Sequence, residues 1–114
     1  MKFSAYFADF DDKNKVKTFE DIELFAESFM KLQFRNDNEG FGRYDIFKTG
    51  GGWHCELYVK HNNPMSVAQA VAIMADFGVD KDYLLRRLQR DEFTLFTVRR
   101  GVNNRKWVWT GHFN

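Results

Sequence analysis

The eight residues from Trp53 to Lys60 constrain the fold of this chain more than any other stretch. Trp53, Cys55, Leu57 and Val59 alternate with His54, Glu56, Tyr58 and Lys60, the period of two that a half-buried strand requires. Gly50-Gly51-Gly52 stand just before them, and a second strand-like stretch, 42–48, precedes the glycines. Glycine supplies the positive dihedrals that a hairpin turn uses. Strands joined by so short a link run antiparallel. The same glycines do not form a phosphate loop, because neither a helix nor a Gly-Lys-Ser/Thr ending follows them.

The other elements fall around this hairpin. Residues 2–8 read as a strand, with Phe3, Ala5 and Phe7 on one side and Ser4, Tyr6 and Ala8 on the other. Thr18 is suited to cap a helix over 19–33, with Asp21 at its third position. Phe19, Ile22, Phe25, Ala26, Phe29 and Met30 recur at helical spacing, and Glu20, Glu23, Glu27 and Lys31 face away. Ser66 and Gln69 form a capping box for the segment VAQAVAIMADF, which is apolar enough to be expected as a central buried helix ending at Gly78. Asp80 caps a third helix over 81–90. Strands near 93–100 and 106–113, joined at Gly101-Val102-Asn103-Asn104, complete the reading.

The expectation is therefore a single α+β domain over residues 1–114. Its mostly antiparallel sheet has about five strands packed with three helices, in the order β-α-β-β-α-α-β-β. Ile22, Phe25, Phe29, Leu57, Val71, Ala75, Leu84 and Leu88 are expected to form its core. Apolar residues at 44% and charged residues at 29% suit a globular chain rather than a disordered one. A single cysteine excludes an intrachain disulfide and a four-cysteine zinc site. No apolar run approaches the roughly 20 residues that span a bilayer, so no membrane partner is expected. The opening MKFSAYFADFDD lacks the basic start and apolar stretch of a signal peptide, and a free Cys55 suits a reducing compartment. The expected location is cytoplasmic.

Charge is informative by position. From residue 81 onward eight basic residues face three acidic ones, a balance of +5, whereas the first 80 residues have nine basic and 13 acidic ones, or −4. On a helix over 81–90, at about 100° per residue, Leu84, Leu85 and Leu88 share one side, with Tyr83, Arg86, Arg87 and Arg90 on the outward side. Arg99, Arg100, Arg105 and Lys106 flank the last turn. Tyrosine and arginine are enriched in protein hot spots. The leading expectation is thus a small non-enzymatic binding module, an inhibitor or adaptor, that uses Tyr83, Arg86, Arg87, Arg90, Arg99, Arg100, Arg105 and Lys106 to meet a protein partner with an acidic surface. The alternative is a nucleic-acid-binding protein using the same region, since arginine meets phosphates and tyrosine stacks on bases.

Trp107 and Trp109 share one side of the last strand by alternation and are expected as a buried anchoring pair, one of them partly exposed. Catalytic signals are sparse. Asp9, Asp11 and Asp12 follow a strand, as the carboxylates of a metal-dependent hydrolase do, and this is the second alternative. His54, His61 and His112 lack metal-ligand spacing. His54 and Cys55 point to opposite sides of one strand and so form no dyad. No catalytic residue, metal or cofactor is assigned.

Overall fold

A computed structural model describes residues 1–11, 13–36, 39–93 and 105–113. The elements are β1 (Lys2–Asp11), α1 (Phe19–Gln33), β2 (Phe41–Thr49), β3 (Gly52–His61), α2 (Val67–Asp76), α3 (Lys81–Arg90) and β4 (Lys106–Phe113). The strands form an antiparallel sheet in the order β1-β3-β2-β4. This is an α+β fold with three helices and, among the described residues, four strands. The strand expected over 93–100, apart from Phe93, and the turn 101–104 lie outside the described residues, as do Arg99 and Arg100.

Local chemistry sets the helix starts. The Thr18 hydroxyl accepts from the Asp21 amide while the Asp21 carboxylate accepts from the Thr18 amide, and Ser66 and Gln69 repeat the arrangement at α2. The Asp80 carboxylate accepts from the Tyr83 amide at 3.0 Å. Such caps satisfy amides that have no partner inside the helix, each worth roughly 1 kcal/mol. Gly78, at φ 84°, lies just past the end of α2, in the left-handed region that glycine enters without a Cβ penalty. Gly52 brings the hairpin against β1 so closely that a Cβ would collide with the Phe10 carbonyl.

The core lies between one face of the sheet and α1. Ile22, Phe25, Ala26, Phe29 and Met30 are buried against Tyr6, Ala8, Phe10, Tyr44, Ile46, Cys55, Leu57 and Val59. Tyr6 meets Phe29 with ring centroids 4.9 Å apart, and Phe10 meets Phe25 at 5.1 Å. Of the expected core set, Ile22, Phe25, Phe29, Leu57, Val71 and Leu84 are buried, but Ala75 and Leu88 are not. The expectation of a central α2 is corrected: Ala70, Val71 and Met74 turn inward and Ala68, Gln69, Ala72 and Ala75 are exposed. The helix lies at the flank of α1, where one apolar stripe is enough, and alanine on the outer side loses little by exposure.

Candidate interaction surface

The sequence-derived site is split by the fold. Tyr83 donates from its hydroxyl to the Phe7 carbonyl of β1 at 2.7 Å, so α3 stands at the β1 side of the sheet. Arg105 and Lys106 lead into β4, at the opposite side. With adjacent strands about 4.8 Å apart, the two sides are roughly 14 Å from each other. Arg86 and Arg90 are exposed on α3, and Lys106 is exposed on β4.

The outward stripe of α3 also needs correction. Tyr83 and Arg87 are buried together with Leu84, whereas Leu85 and Leu88 are 46% and 42% exposed. The helix is turned so that the Tyr83 phenol reaches its carbonyl acceptor, and the Arg87 guanidinium lies 5.2 Å from the Tyr83 ring centroid. A tyrosine buries a large apolar ring while keeping a bond for its hydroxyl, and an arginine covers such a ring with its stem. That combination outweighs the inward pull of two leucines at the rim. Burial pushes the Tyr83 hydroxyl well above its ordinary range.

At β4 the expectation of buried tryptophans is overturned. Lys106, Trp107, Val108 and Trp109 are exposed in succession, Trp107 at 61% and Trp109 at 47%. The cause is an irregularity of register between Ile46 and Phe47: Ile46 opposes Trp109, whereas Phe47 opposes Trp107. One extra residue in β4 sends the two indoles to opposite faces. Trp109 joins Phe19, edge to face at 6.4 Å, and Phe19 in turn meets Trp53. Trp107 lies on the other face, where its Nε1 donates to the Thr110 hydroxyl at 2.9 Å. Lys48 is directly opposite Lys106, and its ammonium sits 4.9 Å from the Trp53 ring centroid.

A buried polar cluster on that second face was not anticipated. His54 is enclosed, its Nδ1 2.6 Å from Asp9 Oδ1 and its Nε2 3.1 Å from Glu56 Oε2. Glu56 also accepts from the Tyr58 hydroxyl at 2.6 Å and from Arg105 at 2.8 Å. Ionised carboxylates only accept, so the contacts to Asp9 and Glu56 favour an imidazole that donates from both ring nitrogens. Burial pulls the His54 pKa down, but the hydrogen bonds and charges of Asp9 and Glu56 prevail and raise it. Burial pushes the Glu56 carboxyl up, and the hydrogen bonds from His54, Tyr58 and Arg105 reverse this and hold it at about 2. Arg105 is therefore an anchor: its guanidinium binds Glu56 and lies 4.4 Å from the Phe47 ring centroid. The alternating polar residues of β3 signal this face in the sequence, but the register that puts Asp9 opposite His54 is not readable there.

The remaining candidates are placed as follows. Asp9 is committed to His54 and Asp11 accepts from the Lys13 amide, while Asp12 lies outside the described residues. Among the described residues no group of three or more metal-ligating side chains converges. Cys55 is fully buried, and burial together with the Asp45 and Glu56 charges pushes its thiol well up. A groove of about 810 Å³ runs between the end of α1 and α2. The Gln33 amide in its wall is used internally, donating to Asn63 and accepting from Met65. None of the described helices is long and apolar enough to cross a membrane. The chain matches no protein-family model, no curated protein and no solved structure.

Proposed function

We propose that this protein is a small binding module that engages a protein partner with an acidic surface through its β4 edge. The observation that carries this reading is the unbroken exposure of Lys106, Trp107, Val108 and Trp109. Large exposed apolar groups mark interaction sites, here along one sheet edge with an indole on either face, and tryptophan is among the residues most enriched in binding hot spots. The partner's sign follows from Lys48 opposite Lys106. Like charges directly across a pair of strands repel, and an anionic partner relieves that repulsion as it binds. Arg105, held by Glu56, fixes the start of the strand from below.

The test is a comparison of wild type with Trp107→Ala and Lys106→Glu as baits, followed by affinity measurement on the protein recovered. Truncating a desolvated anchor costs about 2 kcal/mol or more, or roughly 30-fold in affinity. Trp107 is mostly exposed, so its removal leaves the melting temperature nearly unchanged. Equal affinity for all three baits refutes the reading. Recovery of nucleic acid instead, with affinity falling linearly in log salt, assigns this edge to the other partner class.

A further inference from the structure

We infer that the far end of the second sheet face is a stacking platform for single-stranded nucleic acid, a site separate from the β4 edge. The register aligns Phe3, Lys60 and Phe41 in one row across β1, β3 and β2. The next row holds Ala5, Tyr58, Arg43 and His112. Directly opposed residues share a face, and successive rows on that face are about 7 Å apart. Phe3 is 68% and Phe41 50% exposed, and Lys60, Arg43 and His112 are exposed beside them. This end of the face presents flat rings and cations where a solvated sheet surface ordinarily carries polar side chains.

The rings are arranged as a surface rather than as isolated residues. Phe3 and Tyr58 are nearly parallel, 26° between planes and 6.2 Å between centroids. The Lys60 ammonium lies 5.9 Å from the Phe41 ring centroid, and the Arg43 guanidinium 5.3 Å from that of Tyr58. Each cation thus lies over one face of its ring, and the Lys60 side chain is exposed there to meet a phosphate. Tyr58 is fixed in turn by its hydrogen bond to Glu56.

Charge complementarity selects the occupant. The acidic side chains nearest these rows, Asp45 and Glu56, lie one row deeper and buried: Asp45 accepts from Arg43 and from the Thr110 hydroxyl, and Glu56 accepts from the Tyr58 hydroxyl and from Arg105. Glu39 stands before β2, at the rim. A polyanion with exposed aromatic faces satisfies both features of the platform: its bases stack on the exposed Phe3 and Phe41 rings, and its backbone meets Lys60 and Arg43. Alternating stacking and phosphate contacts are the general mode of sequence-tolerant single-strand binding. A duplex hides its base faces and cannot make the first set of contacts.

The experiment titrates the full chain into fluorescein-labelled oligo(dT) and oligo(U) of about twelve nucleotides, within the usual site range, and reads anisotropy at several salt concentrations. Saturable binding is expected, with log K falling against log salt by about 0.7 for each phosphate neutralised. Phe3→Leu and Phe41→Leu keep an apolar side chain but remove the flat ring. Each is expected to weaken binding about 5- to 150-fold, the equivalent of losing one stacked base, while Phe3→Trp and Phe41→Tyr retain it. Both leucine variants alter exposed positions, so an unchanged melting curve confirms that they fold. No saturable binding, unchanged affinity in the leucine variants, or equal affinity for duplex DNA or heparin overturns the proposal. Trp107→Ala should leave oligonucleotide binding intact, so this site and the β4 edge fail or stand separately.

Discussion

Replacing Glu56 by glutamine removes the carboxylate on which His54, Tyr58 and Arg105 converge, and its effect should depend on pH in a defined direction. The carboxyl titrates at about 2 in the folded protein against an ordinary value of 4.5. At about 1.4 kcal/mol per pH unit, that gap corresponds to roughly 3 kcal/mol of stability. Withdrawing one partner from a buried ion pair costs roughly 3–5 kcal/mol by a separate argument, because the other charge stays buried. Between pH 2 and 4.5 the unfolded chain holds the proton and the folded one does not. The contribution is therefore complete above about pH 5 and is lost as pH falls toward 2. His54 has the opposite sign: its pKa is raised by its carboxylate partners, so its contribution is complete below the ordinary histidine value of about 6.5 and fades as pH rises through the folded value. The cluster is strongest between about pH 5 and 6.5. Urea denaturation of wild type and Glu56→Gln at pH 6, 4, 3 and 2.5 makes the comparison. A difference of about 3 kcal/mol at pH 6 should shrink steadily as the wild type loses its advantage. A difference that stays constant with pH, or that is below about 1 kcal/mol at pH 6, refutes the charged arrangement.

Two further outcomes follow from buried groups. Cys55 should not react with a bulky thiol reagent in the folded protein and should react fully in denaturant, because its sulfur is enclosed and its pKa is raised by burial. Stoichiometric labelling within minutes under native conditions would contradict that placement. Tyr83→Phe removes the hydroxyl that donates to the Phe7 carbonyl and leaves a buried acceptor unmet, so it should cost about 1–3 kcal/mol, read from the same urea series. A loss within 0.5 kcal/mol, the usual range for a surface change, would return Tyr83 to the outward side of α3.

What was legible in the sequence was what neighbours along the chain decide. The limits of α1 and α3 were readable because Thr18 with Asp21 and Asp80 with Tyr83 are local chemical pairs. The period-two pattern of β3 and the five inward residues of α1 were readable because each element carries its own periodicity. The rotation of α3 was not. Its leucines outnumber its tyrosine, and only the Phe7 carbonyl, 76 positions away in the chain, supplies the reason that Tyr83 turns inward. His54, Glu56 and Tyr58 looked like a solvated strand face for the same reason. Their burial and their charge depend on Asp9 and Arg105, which pairing and tertiary contacts bring to them.

The β4 tryptophans show how a single residue of register changes the functional reading. Strict alternation puts Trp107 and Trp109 on one face, where a core would take both. At the observed register the helix-side positions of β2 facing this strand are Tyr44 and Ile46. The Tyr44 ring fills the space where a Cβ on Gly111 would sit, and its hydroxyl donates to Glu27 at 2.8 Å. That side already contains a ring, and a second indole next to Trp109 would overpack it, which typically costs 1–3 kcal/mol. The bulge between Ile46 and Phe47 turns Trp107 to the other face instead, where Thr110 takes its N–H and passes a hydrogen bond on to Asp45. Each indole then keeps contacts within the fold and a large exposed area. The cost of leaving two tryptophans in water persists in the free protein and is recovered only when something covers them, which is the physical basis of the partner contact proposed for β4.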